Sequence, residues 1–158
     1  MSELLYTNHM TVHPEPNRKK RVELDGFDQT WTMGVHGPIA ELYGTDPADS
    51  HPATIEHLTA AIAGCLTGAL GGALGARGMD SLGNLETEVE GEVEKVGNSF
   101  VLANVKLRYR FTVPAGKREA AERAVSVHAG GCPVHQSLQR GITITWDAEI
   151  VEQPAAER

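Results

Sequence analysis

The feature that most constrains the fold is a stretch without a single charged residue, from Leu58 to Ala76. Its large aliphatic side chains recur every four positions: Leu58, Ile62, Leu66, Leu70 and Leu74. This spacing predicts a helix with one apolar stripe. A transmembrane helix needs about 20 mostly apolar residues, whereas five glycines and two threonines interrupt this stretch. We therefore expect a helix inside a soluble protein, with no membrane contact.

The elements around this helix predict an α+β fold. Strands are expected at 3–13 and 21–35, a long loop at 36–52, the central helix at about 53–76, two strands at 85–97 and 99–114, helices at 115–129 and 133–141, and a last strand at 142–151. Runs of strands with segregated helices are typical of α+β proteins. The length of 158 residues indicates one domain, 1–158.

The two strands after the helix carry opposite charges. On the second, apolar residues from Val105 to Val113 alternate with Lys106, Arg108 and Arg110, which is typical of a half-buried strand. The first has an acidic face: Glu86, Glu88, Glu90 and Glu92. We expect an antiparallel hairpin in which these charges face each other as solvated surface.

Composition excludes some partners and favours a compartment. The net charge of −7 argues against nucleic-acid binding, and the basic run 17–21 is interpreted as a solvated loop. The N-terminus carries Glu3 and lacks the apolar core of a signal peptide. Two cysteines without a secretory signal suggest the reducing cytoplasm.

The two cysteines differ in their local setting. Cys132 precedes Pro133 at the expected N-cap of a short helix, where backbone N–H groups favour a thiolate; the alternative is a small buried residue. Cys65 lies in the middle of the apolar helix, where burial would raise the pKa of a thiol. Taken alone, Cys65 indicates a structural residue, and as a nucleophile it would need a base or cation from elsewhere.

Two other sites are weakly indicated. Cys132 and His135, with His128 nearby, have the spacing of zinc ligands, but a closed zinc site needs a second pair, and His57 is eight residues from Cys65. The glycines of the central helix lack the strand and the lysine of a phosphate loop. We interpret them as a packing face, against the same helix of a second subunit.

Two stretches, "TIEHLTAAIAGCL" and "GCPVHQSL", together resemble the OsmC/Ohr family of osmotically inducible and organic hydroperoxide resistance proteins. The order of elements is also similar over nearly the whole chain. The resemblance implies an OsmC-like fold with N-terminal antiparallel strands, a long central helix and a second antiparallel sheet with two helices. It also implies a swapped homodimer.

The resemblance implies thiol peroxidase chemistry, with no metal or organic cofactor. Cys65 would attack an organic hydroperoxide and become a sulfenic acid, and Cys132 would form a disulfide with it. A dithiol, lipoyl-linked in several members, would reduce the disulfide. The role is an antioxidant one, in the oxidative stress response.

The family holds its attacking thiolate with a glutamate and an arginine. Glu56 is the positional candidate for the glutamate, and Arg18 and Arg21 are candidates for the arginine. Nine residues separate Glu56 from Cys65, about 2.5 helical turns, so on a straight helix the two side chains would face opposite sides. A charge in the first helical turn is the alternative role for Glu56. A non-catalytic small-molecule binding protein of the same fold and a Cys/His metal binder stay open.

Overall fold

The computed structural model describes residues 3–80 and 83–154. The chain forms two compact units, Met1–His57 and Leu58–Arg158. The strands are β1 (Met10–Pro14), β2 (Lys20–Leu24), β3 (Thr30–Met33), β4 (Glu86–Val96), β5 (Ser99–Val113) and β6 (Thr143–Glu152). The α-helices are α1 (Gly37–Tyr43), α2 (Thr54–Gly75), α3 (Arg118–Val127) and α4 (Pro133–Leu138). Short 3-10 turns lie at Pro16–Arg18 and His128–Gly131.

The N-terminal unit contains a three-stranded antiparallel sheet in the order β1-β2-β3. The first predicted strand, 3–13, is confirmed only from Met10 onward, since residues 3–9 form no strand. The second predicted region divides into β2 and β3 around Gly26, which has a positive φ of 84° that glycine adopts without strain. Part of the expected loop at 36–52 folds instead as α1, with Pro38 in its first turn, where a missing N–H costs nothing.

The C-terminal unit contains a sheet in the order β4-β5-β6. The hairpin of β4 and β5 is antiparallel, and its register places Glu86, Glu88 and Glu90 opposite Arg110, Arg108 and Lys106. The predicted charge pairing is therefore confirmed. The expectation of a wholly antiparallel sheet is wrong, because β6 runs parallel to β5. The helices between them supply the long crossover that parallel strands require.

Alternation along β5 assigns the two faces of this sheet. Val105, Leu107, Tyr109, Phe111 and Val113 are at most 2% exposed, whereas the intervening basic residues are exposed. Helix α2 covers the apolar face, since the hydroxyls of Thr67 and of Thr87 on β4 are hydrogen-bonded to each other at 2.8 Å. A Cβ at Gly91 of β4 would lie 2.8 Å from the Thr59 hydroxyl of α2, so glycine permits this close approach.

The central helix is confirmed, and it runs unbroken through its glycines. Its buried stripe is close to the predicted one and consists of Ile62, Ala63, Leu66, Leu70 and Leu74. Gly64, Gly68 and Gly72 are exposed, and a Cβ at any of them would meet nothing within 4 Å. By length and composition alone, α2 would suit a membrane span, a test that the core helix of a globular protein also passes.

Candidate active site

The two cysteines of the chain meet in the C-terminal unit as free thiols. Cys65 is partly exposed on α2, and Cys132 is fully buried at the start of α4. Cys65 is close enough to Cys132 to raise the pKa of the Cys132 thiol. The fold thus brings together two residues that are 67 positions apart in sequence.

Cys132 is the N-cap of α4, as its sequence context predicts. Its sulfur accepts the His135 backbone N–H at 3.4 Å. Burial raises the pKa of Cys132, the Cys65 thiol raises it further, and the backbone N–H groups of His135 and Val134 oppose these effects without outweighing them. The resting Cys132 is therefore a protonated thiol, contrary to the local expectation that its helix position favours a thiolate.

A buried pair of polar side chains lies beside Cys132. The Tyr109 hydroxyl and His128 Nε2 are 2.9 Å apart, and His128 Nδ1 is 2.8 Å from the Val125 carbonyl oxygen. Because a carbonyl only accepts, Nδ1 carries the hydrogen and Nε2 accepts the Tyr109 O–H. Burial lowers the pKa of His128, and the charge of His135 lowers it further, so the ring is neutral. Burial and then the charge of a Cys132 thiolate raise the pKa of Tyr109.

Two further rings complete this cluster. Trp146 of β6 makes edge-to-face contacts with His128 and His135, at centroid distances of 5.0 and 5.7 Å. His135 is 8% exposed, and its Nδ1 has no hydrogen-bond partner within the described part of the chain. Among residues 3–80 and 83–154, no three His, Cys, Asp or Glu side chains are grouped to hold a metal ion. Cys132, His128 and His135 therefore do not form the ligand set that a zinc site requires.

Glu56 is engaged within the N-terminal unit. Its carboxylate lies 2.8 Å from His36 Nε2 and accepts the Ala53 backbone N–H at 2.8 Å. Burial alone would raise the pKa of Glu56, but the hydrogen bonds from His36 and Ala53 prevail and lower it. A carboxylate that binds a backbone N–H in the first turn stabilises the start of a helix, so Glu56 has at least this structural role.

Both candidate arginines also have partners in the N-terminal unit. The Arg18 guanidinium stacks 4.6 Å above the Tyr43 ring centroid, in a cation–π contact. Arg21 pairs with Glu15 and with Glu23, its neighbour two positions along β2. The proposed roles of Glu56, Arg18 and Arg21 toward Cys65 stay predictions.

Sequence reasoning missed Tyr109, His36 and Trp146, and it noticed His128 only as a metal ligand. Tyr109 is indistinguishable from an ordinary core residue in the alternating pattern of β5. Its pairing with His128 depends on a contact across 19 residues, which no local pattern encodes. The one available signal was a histidine directly before the two glycines of the cysteine motif.

The site lies within the part of the chain that matches a known family. Residues 47–147, well over half of the chain, match the family model of OsmC-like proteins. The chain belongs to the OsmC-like family. The match includes both cysteines and Glu56, and it begins after Arg18 and Arg21. No curated protein matches the chain at a significant level.

Solved structures show the same fold at low sequence identity. The OsmC-like protein from Mycoplasma pneumoniae is 14% identical and has a TM-score of 0.73, with 94% of this chain and 99% of that chain covered. An organic hydroperoxide resistance protein, OsmC, from Legionella pneumophila is 17% identical, with a TM-score of 0.68 and coverage of 93% and 99%. The organic hydroperoxide resistance protein OhrB of Bacillus subtilis is 16% identical, with a TM-score of 0.62 and coverage of 92% and 100%. Helix α2 is thus the central helix of an OsmC-like fold, and the family supports a redox or peroxide-resistance role.

Proposed function

We propose that this protein is a thiol-dependent peroxidase that reduces organic hydroperoxides. The observation that carries the proposal is the meeting of its two cysteines, Cys65 and Cys132, as neighbouring free thiols. Two neighbours of the same fold bear names of organic hydroperoxide resistance proteins. Cys65 is the more exposed of the two thiols, which suits the residue that meets the substrate.

The reaction proceeds in three balanced steps. The Cys65 thiolate attacks the distal peroxide oxygen, the O–O bond breaks, and the products are an alcohol and Cys65 sulfenic acid. The Cys132 sulfur then displaces the hydroxyl group as water, and a Cys65–Cys132 disulfide forms. A dithiol, lipoyl-linked as in several relatives of the family, reduces that disulfide by exchange. Neither a metal nor an organic cofactor takes part.

The remaining parts of the proposal come from the family resemblance. Glu56 and either Arg18 or Arg21 would activate the Cys65 thiolate, and a swapped homodimer would be the working form in the cytoplasm. The exposed glycine face of α2 supports a second subunit, because Gly64, Gly68 and Gly72 leave room for another backbone.

One observation favours a second candidate, a non-catalytic small-molecule binding protein of this fold. Glu56, Arg18 and Arg21 all have partners in the N-terminal unit: His36, Tyr43 and two glutamates. Side chains that are engaged in this way are less available to activate a thiol. In this candidate both cysteines stay reduced and idle.

A titration with excess cumene hydroperoxide separates the two candidates. The peroxidase loses both thiols rapidly and gains one intramolecular disulfide, which mass spectrometry of the unreduced protein detects. Cys65→Ser abolishes peroxide consumption, whereas Cys132→Ser forms no disulfide, and the excess peroxide oxidises its Cys65 sulfenic acid further to sulfinic acid. If Cys65→Ser consumes peroxide at the original rate, the mechanism is wrong, and if the native protein keeps both thiols, the binding protein is favoured.

A further inference from the structure

The turn that precedes Cys132 has little rigidity of its own. Gly130 and Gly131 lie directly before the cysteine, both are exposed, and a Cβ at either would meet nothing within 4 Å. Such glycines have wide backbone freedom. The position of the Cys132 sulfur therefore depends on the contacts that hold the rest of the turn His128–Gly131.

His128 supplies the contacts at the first residue of this turn. Its Nδ1–H donates to Val125 at 2.8 Å, which closes the end of α3, and its Nε2 accepts the Tyr109 hydroxyl at 2.9 Å. Tyr109 lies in the middle of β5, the central strand of its sheet, and is fully buried. The Tyr109–His128 bond thus ties the turn to the most constrained strand of the unit.

The rest of the turn is tied to α4. The Ala129 carbonyl accepts both the Cys132 backbone N–H at 3.2 Å and the Gln136 side-chain amide at 3.0 Å. These bonds move with Cys132, because they join the turn to the helix that Cys132 begins. The bond from Tyr109 is different, since it fixes the turn relative to the sheet.

We propose that Tyr109 and His128 are positioning residues for Cys132, which hold its sulfur where it can capture an oxidised Cys65. The proposal rests on the function proposed above. In the step concerned, the S–O bond of Cys65 sulfenic acid breaks, the Cys65–Cys132 S–S bond forms, and the thiol proton of Cys132 leaves with the hydroxyl group as water. Orientation of two reacting groups is a large source of rate.

A slow second step has a chemical signature. Sulfenic acid that is not captured reacts with a second hydroperoxide and becomes sulfinic acid, which a dithiol does not reduce. Tyr109→Phe removes the hydroxyl and leaves His128 Nε2 buried without its donor. We expect the variant to form about tenfold more Cys65 sulfinic acid per turnover. The reason is that a buried acceptor left without its donor shifts an equilibrium by about that factor. The rate of the first Cys65 oxidation stays within about twofold.

A matched control is Thr87→Val on the strand beside Tyr109. It removes the hydroxyl that is hydrogen-bonded to the Thr67 hydroxyl and leaves the turn's own hydrogen bonds in place. We expect native levels of sulfinic acid from it. Equal sulfinic acid from Tyr109→Phe, Thr87→Val and the native protein would overturn the proposal, and so would an equal increase in both variants.

A second measurement needs no peroxidase activity. Incubation with mixtures of reduced and oxidised glutathione gives the equilibrium constant of the Cys65–Cys132 disulfide, and Tyr109→Phe should lower it about tenfold relative to Thr87→Val. Should Tyr109→Phe not fold, His128→Asn keeps a donor near Val125 and loses the acceptor for Tyr109. An unchanged constant in the folded variant contradicts the positioning role. If the native protein does not react with hydroperoxide but Tyr109→Phe still lowers the equilibrium constant of the disulfide, the peroxidase function is refuted and the positioning role is kept.

Discussion

The two units of this protein satisfy their polar side chains in opposite ways. In Met1–His57, charged groups neutralise one another at the surface: Arg21 pairs with Glu15 and Glu23, and Glu56 pairs with His36. In the interior of Leu58–Arg158, the polar groups beside one another are neutral, namely the Cys132 thiol, the Tyr109 hydroxyl and the His128 ring. Exposed charge pairs are adaptable and individually weak, whereas buried neutral networks require specific partners.

This difference indicates which unit holds each part of the proposed chemistry. The thiol pair and its supporting bonds are fixed by a core around β5, so they are expected to survive most surface changes. The groups that would activate Cys65 belong to Met1–His57, where the charge pairs are exposed and adaptable. The proposed reaction of the thiols is therefore expected to depend on charged side chains that can exchange their present partners.

The largest expected effect is on the core that holds the thiols. Leu70→Ala removes a fully buried side chain of α2 and should lower the free energy of unfolding by about 2–5 kcal/mol. Val22→Ala, in the smaller core of the N-terminal unit, removes fewer carbons and should cost about 2 kcal/mol. Urea denaturation followed by circular dichroism measures both. The exposed Leu42→Ala serves as control, with a change within about 0.5 kcal/mol. Equal losses of unfolding free energy in Leu70→Ala and Leu42→Ala would remove the distinction between a buried core residue and an exposed one.

The next effect is a difference in acid sensitivity. The pKa of His128 is lowered in the folded state, so its contribution to stability is complete above the ordinary histidine pKa of about 6.5 and is lost as the pH falls below it. The pKa of Glu56 is also lowered, but from 4.5, so its contribution is lost only at lower pH. We expect the C-terminal unit to respond first on acidification.

Each unit has its own tryptophan to report this order. Trp31 lies on β3, and Trp146 lies against His128 and His135. Fluorescence of the variant Trp31→Phe follows Trp146, and that of Trp146→Phe follows Trp31. The Trp146 signal should change as the pH falls below about 6.5, before that of Trp31. Simultaneous changes, or an earlier change at Trp31, would contradict the assignment of neutral groups to one unit and charged groups to the other.

A smaller effect is expected at the start of α2. Glu56→Ala removes the acceptor of the Ala53 N–H and the partner of His36, and should lower the free energy of unfolding by about 0.5–2 kcal/mol. Glu56→Gln keeps an acceptor oxygen and should lose less, because a glutamine serves in the same capping position. Urea denaturation at pH 7 measures both variants. Equal losses would assign the whole effect to the charge of Glu56 and none to the cap.

Periodicity predicted most of this fold from the sequence. Leucines every four residues located α2, and alternation along β5 gave the hairpin register and its charge pairs, because both patterns come from side chains of one element facing one core. The pattern did not predict that β6 runs parallel to β5, since an alternating strand can pair with the edge of a sheet in either direction. Helix α1 was missed because a seven-residue helix in a loop rich in glycine and proline carries too few periods to be recognised.

The site divides in the same way. The two cysteine motifs were enough to pair Cys65 with Cys132 through the family resemblance, and the N-cap role of Cys132 followed from Pro133. The raised pKa of Cys132 did not follow from the sequence, since it depends on burial by elements distant in sequence. The partners of Glu56 and Tyr109 are 20 and 19 residues away, and contacts of this kind are set by topology.

The smallest expected effect lies on the outer face of the C-terminal sheet, where that unit resembles its neighbour in using charge pairs. Arg108 on β5 faces Glu88 in the strand register and lies 3.4 Å from Asp147 of β6, with both members of the latter pair about two-thirds exposed. Exposed pairs contribute about 0–1 kcal/mol and are screened by salt. Arg108→Ala should therefore change the free energy of unfolding by less than about 1 kcal/mol, and the change should vanish in 1 M NaCl. A loss above 2 kcal/mol that persists in salt would mean that this face is not solvated surface, and the contrast between a charged exterior and a neutral interior would then extend to a second buried interface.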